Sequence, residues 1–401
     1  MQTLFEQSLA LTSTQLLART DWPNWQGQTV ELWTFQDRQT RLALERRLTA
    51  LRKGEVRVRS AYKPLLHYFL EEVELTSLTE VQIHYPVHPN ADPKRFLLEA
   101  YPLASLLSHC KLTWVAQLYD EQTLAVSPQY QVKLTETNGV TQQVSVDAPN
   151  RLILDHLQEA VLCPTGYLRI AAKDTGRLLH EEYFACEIEK AFAAVMDWMR
   201  QYPWAAQEPY FERLEIRIDL PGAEIFDAQG VLMVSTLEAL HEDLYFSILE
   251  FFQRHSGRPK GDRGLQPGQI VPDIRQNHDA AKVRVVLHPV GSSLPDLLPA
   301  ATVTSGTESS LGIESSLSSP TETDLAHCSS ALTAEQVLAS LSVRQAEGAR
   351  PFQFLSRQGR SVQGVIRTGT LPAIVLSGGQ HANEPSGVVG ALRGASWLAS
   401  Q

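Results

Sequence analysis

The chain is poor in cysteine. Cys110, Cys163, Cys186 and Cys328 are the four it has in 401 residues, and none stands in a CxxC pair. That spacing excludes a disulfide scaffold and a cysteine zinc site, and it leads to the expectation of a cytoplasmic protein with reduced thiols. Long apolar runs are also missing. No stretch approaches the roughly 18–20 uninterrupted apolar residues of a membrane-spanning helix, so no membrane partner is expected. The N-terminus, Met1-Gln2-Thr3-Leu4-Phe5-Glu6, has neither a basic n-region nor an apolar h-region, which speaks against a secretory signal. Positive charge is in deficit, with a net charge of -10 and a pI near 5.7. Phosphate recognition wants a basic stripe, so no nucleic-acid partner is expected either.

What remains is the composition of a soluble globular protein, 43% hydrophobic and 20% charged, in a chain long enough for two or three domains. The clearest boundary lies at 291–332. Gly291-Ser292-Ser293-Leu294-Pro295 opens a run rich in Ser, Thr, Ala and Pro that cannot bury enough surface to offset the entropy of ordering it. We expect a flexible linker there. The expected class is α/β overall, made of an α+β accessory region in two halves, 1–150 and 151–290, then the linker, then a domain over 333–401.

In the accessory region Val56-Arg57-Val58-Arg59 alternates like a strand, and 61–73 carries apolar residues at helical spacing. Val81-Gln82-Ile83-His84-Tyr85 is a second strand and 96–107 a second helix. Strands over 130–135 and 141–146 flank Asn138-Gly139, a hairpin signal because both residues accept positive φ cheaply. Further on, 167–171 reads as a strand, 182–200 as a long amphipathic helix, and 214–218 and 282–288 as strands. A strand over 231–234 leads into a helix at 236–253. A weak internal repeat relates 56–73 to 231–249: each runs strand, then Ser60 or Ser235 as the expected N-cap, then an apolar helix.

Past the linker, Thr333-Ala334-Glu335-Gln336 offers a capping box for a short helix. Strands are expected at 352–356 and 362–367 around Gln358-Gly359-Arg360. The run Pro372-Ala373-Ile374-Val375-Leu376 suits a strand buried on both faces. Ser377-Gly378-Gly379-Gln380 leads into His381-Ala382-Asn383-Glu384-Pro385, and 386–400 reads as a helix. Within one turn, positions i and i+3 project to the same side, so the imidazole of His381 and the carboxylate of Glu384 could grip one ion. Glycines 378 and 379 let the backbone pass close to a metal or substrate.

This order of strands, followed by Gly-x-His-x-x-Glu and a helix, resembles the start of the catalytic domain of the zinc carboxypeptidase (carboxypeptidase A-like) family, over residues 352–398. The resemblance implies an α/β/α fold, a Zn cofactor held by His381, Glu384 and a later His, and metal-assisted hydrolysis of a peptide or acyl-amino-acid substrate. It places the third ligand, the general base and the substrate-gripping residues downstream of Gln401. Arg393 is on the wrong element to serve as the substrate-binding arginine. Because Gln401 follows Glu384 by seventeen residues, the expectation is a truncated domain, inactive as it stands. The deacylases similar to succinylglutamate desuccinylase and aspartoacylase share the motif and are the alternative within the same chemistry. A binding or assembly module with a vestigial peptidase stub is the alternative outside it.

Three other segments invite a metal or anion reading. Glu238-Ala239-Leu240-His241 is a single ExxH on a helix, where a di-iron bundle needs two, so a solvated helix face is expected. His84 and His88 bracket Tyr85-Pro86-Val87 at a strand end, and Gly257–Gly264 is a basic glycine-rich loop without Walker spacing. Trp198, Trp204 and the Phe251-Phe252 pair are expected in the core.

Overall fold

The computed structural model describes residues 2–52, 54–118, 128–154, 159–226, 232–259, 262, 264–291, 332, 334–355, 361–367, 376–378 and 385–400. It has mixed helix and strand with several small sheets, as the expected α/β class requires. The expected linker at 291–332 falls almost wholly outside the described residues. Contacts divide the chain into two units, 1–225 with 234–292, and 226–233 with 293–401.

The first unit runs in chain order β1 (Gln2–Leu9), α1 (Thr12–Leu17), β2 (Thr29–Thr34), α2 (Arg38–Arg52), β3 (Val56–Ser60) and α3 (Pro64–Glu72). Next come β4 (Leu78–Val87), α4 (Arg95–Ala100), α5 (Leu103–Leu106), β5 (Lys111–Leu118), β6 (Gln129–Glu136) and β7 (Thr141–Asp147). A short ribbon follows, β8 (Asn150–Leu154) with β9 (Ala160–Pro164), and then β10 (Gly166–Ala171), β11 (Leu178–Phe184) and α6 (Glu187–Gln201). The last elements are β12 (Arg213–Leu220), β13 (Glu224–Phe226), β14 (Leu232–Ser235), α7 (Thr236–His255), β15 (Gln269–Gln276) and β16 (Ala281–His288).

Among the described residues these strands build three four-stranded sheets of one topology. In each, a strand runs parallel to the next across a helical crossover, pairs antiparallel with a third on its other side, and the third pairs antiparallel with a fourth. The strands taking these roles are β2, β3, β10, β11 in one sheet and β4, β5, β6, β7 in another. In the third sheet they are β12, β15, β16 and β1. The β4–β7 sheet is inserted between β3 and β10, and the third sheet is completed by the first strand of the chain. Strands from 1–150 and from 151–290 therefore share sheets in two of the three cases.

This repetition differs from the expected one. Val56–Ser60 is the second parallel strand of its sheet, whereas Leu232–Ser235 belongs to a two-stranded ribbon, so 56–73 and 231–249 are not equivalent. Ser235 does cap its helix, accepting the Glu238 N–H at 3.0 Å. Ser60 does not. Its hydroxyl bonds the backbone of Tyr62, and Lys63 takes the N-cap position of α3.

Each sheet buries one face by the period-2 rule. Leu214, Ile216, Ile218 and Leu220 of β12 and Val283, Val285 and Leu287 of β16 meet Ala191, Val195, Met196 and Met199 of α6. Leu237, Leu240, Leu244, Ile248 and Phe252 of α7 complete that layer, with spacings of three and four residues that keep one helix face inward. Trp204, packed edge-on to Phe252 at 4.8 Å between ring centroids, seals the end of this core together with Trp198 and Phe251, as expected. A second core joins Val30, Leu32, Val56, Val58, Leu168 and Ile170 to Leu16 of α1 and Leu44 and Leu48 of α2.

Two expected helices are corrected. Residues 182–184 are strand, paired with β10 in the register Leu168↔Glu182 and Gly166↔Phe184. The helix starts only at Glu187, where the Glu189 carboxylate accepts the Cys186 N–H at 2.8 Å in a capping box. The expected helix at 96–107 is broken into α4 and α5 around Tyr101-Pro102, because proline lacks the N–H that would continue it. The hairpin at Asn138-Gly139 forms, with Gly139 alone at positive φ (+82°) and its N–H bonded to the Glu136 carbonyl at 2.9 Å.

The described part of the second unit holds a helix Ala334–Ala346, an antiparallel pair Arg350–Leu355 with Ser361–Ile366, and a helix Pro385–Ser400. Gly364 stands opposite Phe352, whose ring lies where a Cβ would be. Arg344 reaches from the first helix to the Ser396 hydroxyl of the second.

Candidate functional site

The two residues assigned to zinc by resemblance, His381 and Glu384, lie outside the described residues. Their described flanks are Leu376, Ser377 and Gly378, which are exposed, and the helix that opens at Pro385. Among the described residues no group of three or more His, Cys, Asp or Glu side chains is placed to hold a metal ion.

The other sequence candidates fall into structural roles. Glu238 and His241 sit on α7, half-buried rather than on the solvated face expected of them. His84 lies within β4, and His88, buried just beyond it, uses Nδ1 to accept the Asn90 N–H at 3.1 Å in the turn that follows. In the basic loop, Arg258 is paired with Glu208 at 2.8 Å and Asp262 at 3.1 Å, which makes it a pinned connection between α7 and β15.

A different feature of the first unit begins with backbone strain. Lys63 has φ 47° and ψ 55°, the left-handed conformation, and among the described residues no other non-glycine has positive φ. For a lysine this costs roughly 1–2 kcal/mol. The tether is local. β3 ends at Ser60, the Ala61 N–H is held by the Thr34 carbonyl at 2.8 Å, and Pro64 opens α3 directly after Lys63. The strained turn points the lysine back along its neighbour, with Nζ 5.3 Å from the centroid of the Tyr62 ring. Among the described residues no carboxylate lies within ion-pair distance of this ammonium. Burial lowers the pKa of Lys63, against the pull of Glu99 and Glu242. Tyr62 is raised, first by burial and then by the fields of Glu99, Asp243 and Glu242.

Arg95 stands at the start of α4. Its Nε bonds Glu99 Oε1 at 2.8 Å, Nη2 bonds Asn150 Oδ1 at 2.7 Å, and Nη1 reaches the Leu162 carbonyl on β9. The guanidinium is thus neutralised and immobilised. A shallow hollow of about 400 Å³ opens beside it, lined by 89–92, Arg95 and 160–162. Glu242 and Asp243 lie on α7. The side chain of Asp243 keeps contact with solvent, yet enough protein surrounds it that burial, helped by the like charge of Glu242, raises its pKa to about 6. Asp243 also feels the charge of Arg95 and acts on the thiol of Cys163.

Two buried polar networks lie in the first unit. Beneath α3, the Glu71 carboxylate accepts Arg41 Nη2 at 2.5 Å and Nη1 at 3.0 Å and lies 2.8 Å from His67 Nδ1. Burial pushes Glu71 up, but the hydrogen bonds of His67 and Arg41 and the charge of Arg41 outweigh it and hold the group at about 2. Elsewhere Glu187 accepts the backbone and hydroxyl of Thr12 and, at 3.2 Å, the Gln36 amide, tying the N-terminal segment to α6.

The sequence carried no sign of the left-handed turn at Lys63, because a Lys-Pro step before a helix reads as an ordinary turn. No family model matches the chain, and no curated protein matches it significantly.

Proposed function

We propose that the chain belongs to a zinc-dependent hydrolase of the carboxypeptidase type, with His381 and Glu384 as two metal ligands in the second unit and the first unit as an accessory module. The reading is carried by the sequence Gly-x-His-x-x-Glu, and the helix that begins at Pro385, directly after the motif, supports it. An imidazole nitrogen and a carboxylate oxygen are both good zinc donors, so the chemistry of the pair suits the metal. Zinc, when bound, polarises the scissile carbonyl and acidifies its water. Within this chain His381 and Glu384 would hold and orient it. The third ligand and the proton-accepting carboxylate belong to parts of the family pattern beyond those matched here. The substrate class in this proposal is a peptide or an acyl-amino acid, and the motif is shared with the deacylase branch. A cytoplasmic setting completes the proposal, supported by the unpaired thiols of Cys110, Cys163 and Cys186.

Calorimetric titration of the purified chain with Zn²⁺ tests the assignment. Saturable binding is expected, weakened at least tenfold in His381→Ala and in Glu384→Gln. Equal affinity in all three proteins would sink the ligand assignment.

A further inference from the structure

We propose that the outer face of α2 docks against the outer face of α7 in a second copy of this chain. This goes beyond the zinc reading and does not depend on it.

The two helices expose matched patterns of opposite sign. The inward positions of α2 are Arg41, Leu44, Leu48 and Arg52, which leaves Arg38, Leu42 and Arg46 in line on the solvent side at four-residue spacing. All three are exposed, and Ala43, Arg47 and Ala50 widen the face beside them. The helix has one carboxylate, Glu45, and it is taken by the Val58 N–H at 3.0 Å. Among the described residues Arg38, Arg46 and Arg47 enter no ion pair. A chain with a net charge of -10 thus carries a helix face whose unpaired charges are all positive.

The outer face of α7 is the reverse. Leu240, Leu244, Ile248 and Phe252 turn to the core, and Glu242, Phe246 and Glu250 follow one another outside at four-residue spacing. Phe246 is 58% exposed, with the Tyr245 ring edge-on to it at 5.4 Å between centroids. Asp243 is exposed beside Glu242, and neither enters an ion pair among the described residues. The helix has no Lys or Arg before Arg254. A single exposed ring is ordinary on a protein surface. This one stands midway between two carboxylates, as Leu42 stands midway between two arginines.

Laid antiparallel, the helices bring Arg38 to Glu250, Leu42 to Phe246 and Arg46 to Glu242. Each series of eight residue steps spans about 12 Å, so the three contacts share one register. The small side chains of Ala43 and Ala50 let the second helix approach closely. Opposite charges on either side of an apolar centre fix both partner and register. Both faces are exposed within one chain, so they do not cover each other there, and a second copy supplies each with its complement.

Sedimentation velocity of the full chain over a concentration series is the test, and reversible self-association is expected. Arg46→Glu and Glu242→Arg each set like charges against each other. Each should weaken association at least tenfold while unfolding at the temperature of the parent, because neither side chain belongs to the core. Mixing the two variants restores opposite charges at both contacts and should recover association, which a merely damaged surface would not do. The proposal is overturned if the parent stays monomeric throughout, if either variant associates as the parent does, or if the mixture fails to recover.

Discussion

The hydroxyl of Thr3 accepts a hydrogen bond from Arg284 Nη2 at 2.9 Å, across 281 residues of chain. The two strands that carry them, β1 and β16, pair from Gln2↔Leu287 to Leu9↔Ala281, and Lys282 adds a salt bridge to Glu6 at 2.7 Å. The first unit is thereby closed by its own beginning. Without β1, the third sheet would lack its fourth strand and β16 would present an open edge.

Removal of residues 2–9 is the corresponding test. Leu4, Phe5 and Leu9 pack against the core of that sheet, so their loss should cost roughly 3–6 kcal/mol. The bare edge of β16 should also promote association. Thermal unfolding and light scattering of the shortened chain check both, and an unchanged melting temperature would mean that β1 is dispensable.

Gly268 and Gly139 separate two costs of adding one methyl group. Gly268 has φ +117°, and a Cβ there would stand 2.1 Å from the Phe211 carbonyl oxygen, a backbone atom that cannot swing away. Gly139 has φ +82° but open space around it. Gly139→Ala should cost about 1 kcal/mol, the conformational penalty alone. Gly268→Ala should cost well over about 2 kcal/mol, because the steric clash adds to that penalty. Denaturant unfolding of the two variants decides the matter, and similar losses would refute the contact.

Acid stability should depend on Glu71. Its folded carboxyl titrates near 2 against an ordinary value of 4.5, so its contribution is fully present above 4.5 and is lost as the pH falls towards 2. His67 acts in the same direction. Burial lowers its pKa, so below its ordinary 6.5 the unfolded chain takes up a proton that the folded state resists. Glu71→Gln should flatten the fall in stability between about pH 4.5 and 2, which equilibrium unfolding at a series of pH values would measure. An unaltered acid limb would show that Arg41 and His67 hold α3 without it.

Asp243 should titrate near pH 6, followed by carboxyl carbon NMR, with Glu242, Arg95, Tyr62 and Cys163 as its charged or titratable neighbours. Because its pKa is raised, its ionisation works against the folded state above pH 6, and the penalty fades as it protonates below that value. Glu242→Gln removes the like charge and should bring the midpoint down, leaving the part due to burial. A midpoint in the ordinary carboxylate range would refute the shift.

Much of the element structure was legible in the sequence because it rests on local periodicity. The alternation of Leu214, Ile216 and Ile218 and the three- and four-residue spacing of Leu237, Leu240 and Leu244 each mark a face that must be buried, and the strand and helix formed as expected. Asn138-Gly139 and Ser235 acted through bonds within a few residues of themselves. The reading failed at 182–184, which follows His180 and Glu181 and reads as the start of the helix that begins only at Glu187. Partners far along the chain hold them in a strand: Arg19 for Glu182 at 2.7 Å and Tyr167 for Glu181 at 2.7 Å.

The sequence by itself determined most of the strands and helices and the faces they bury, and it carried the His381–Glu384 motif, because those features are encoded within ten or so neighbouring residues. Tertiary structure alone decided the three sheets of one topology, the closure of the last by the first strand, and the left-handed turn at Lys63. Strand partners, the left-handed turn at Lys63 and the desolvation of Asp243 depend on which distant segments come to lie together, and a hydrophobic pattern repeated along one dimension does not state which of its faces will meet.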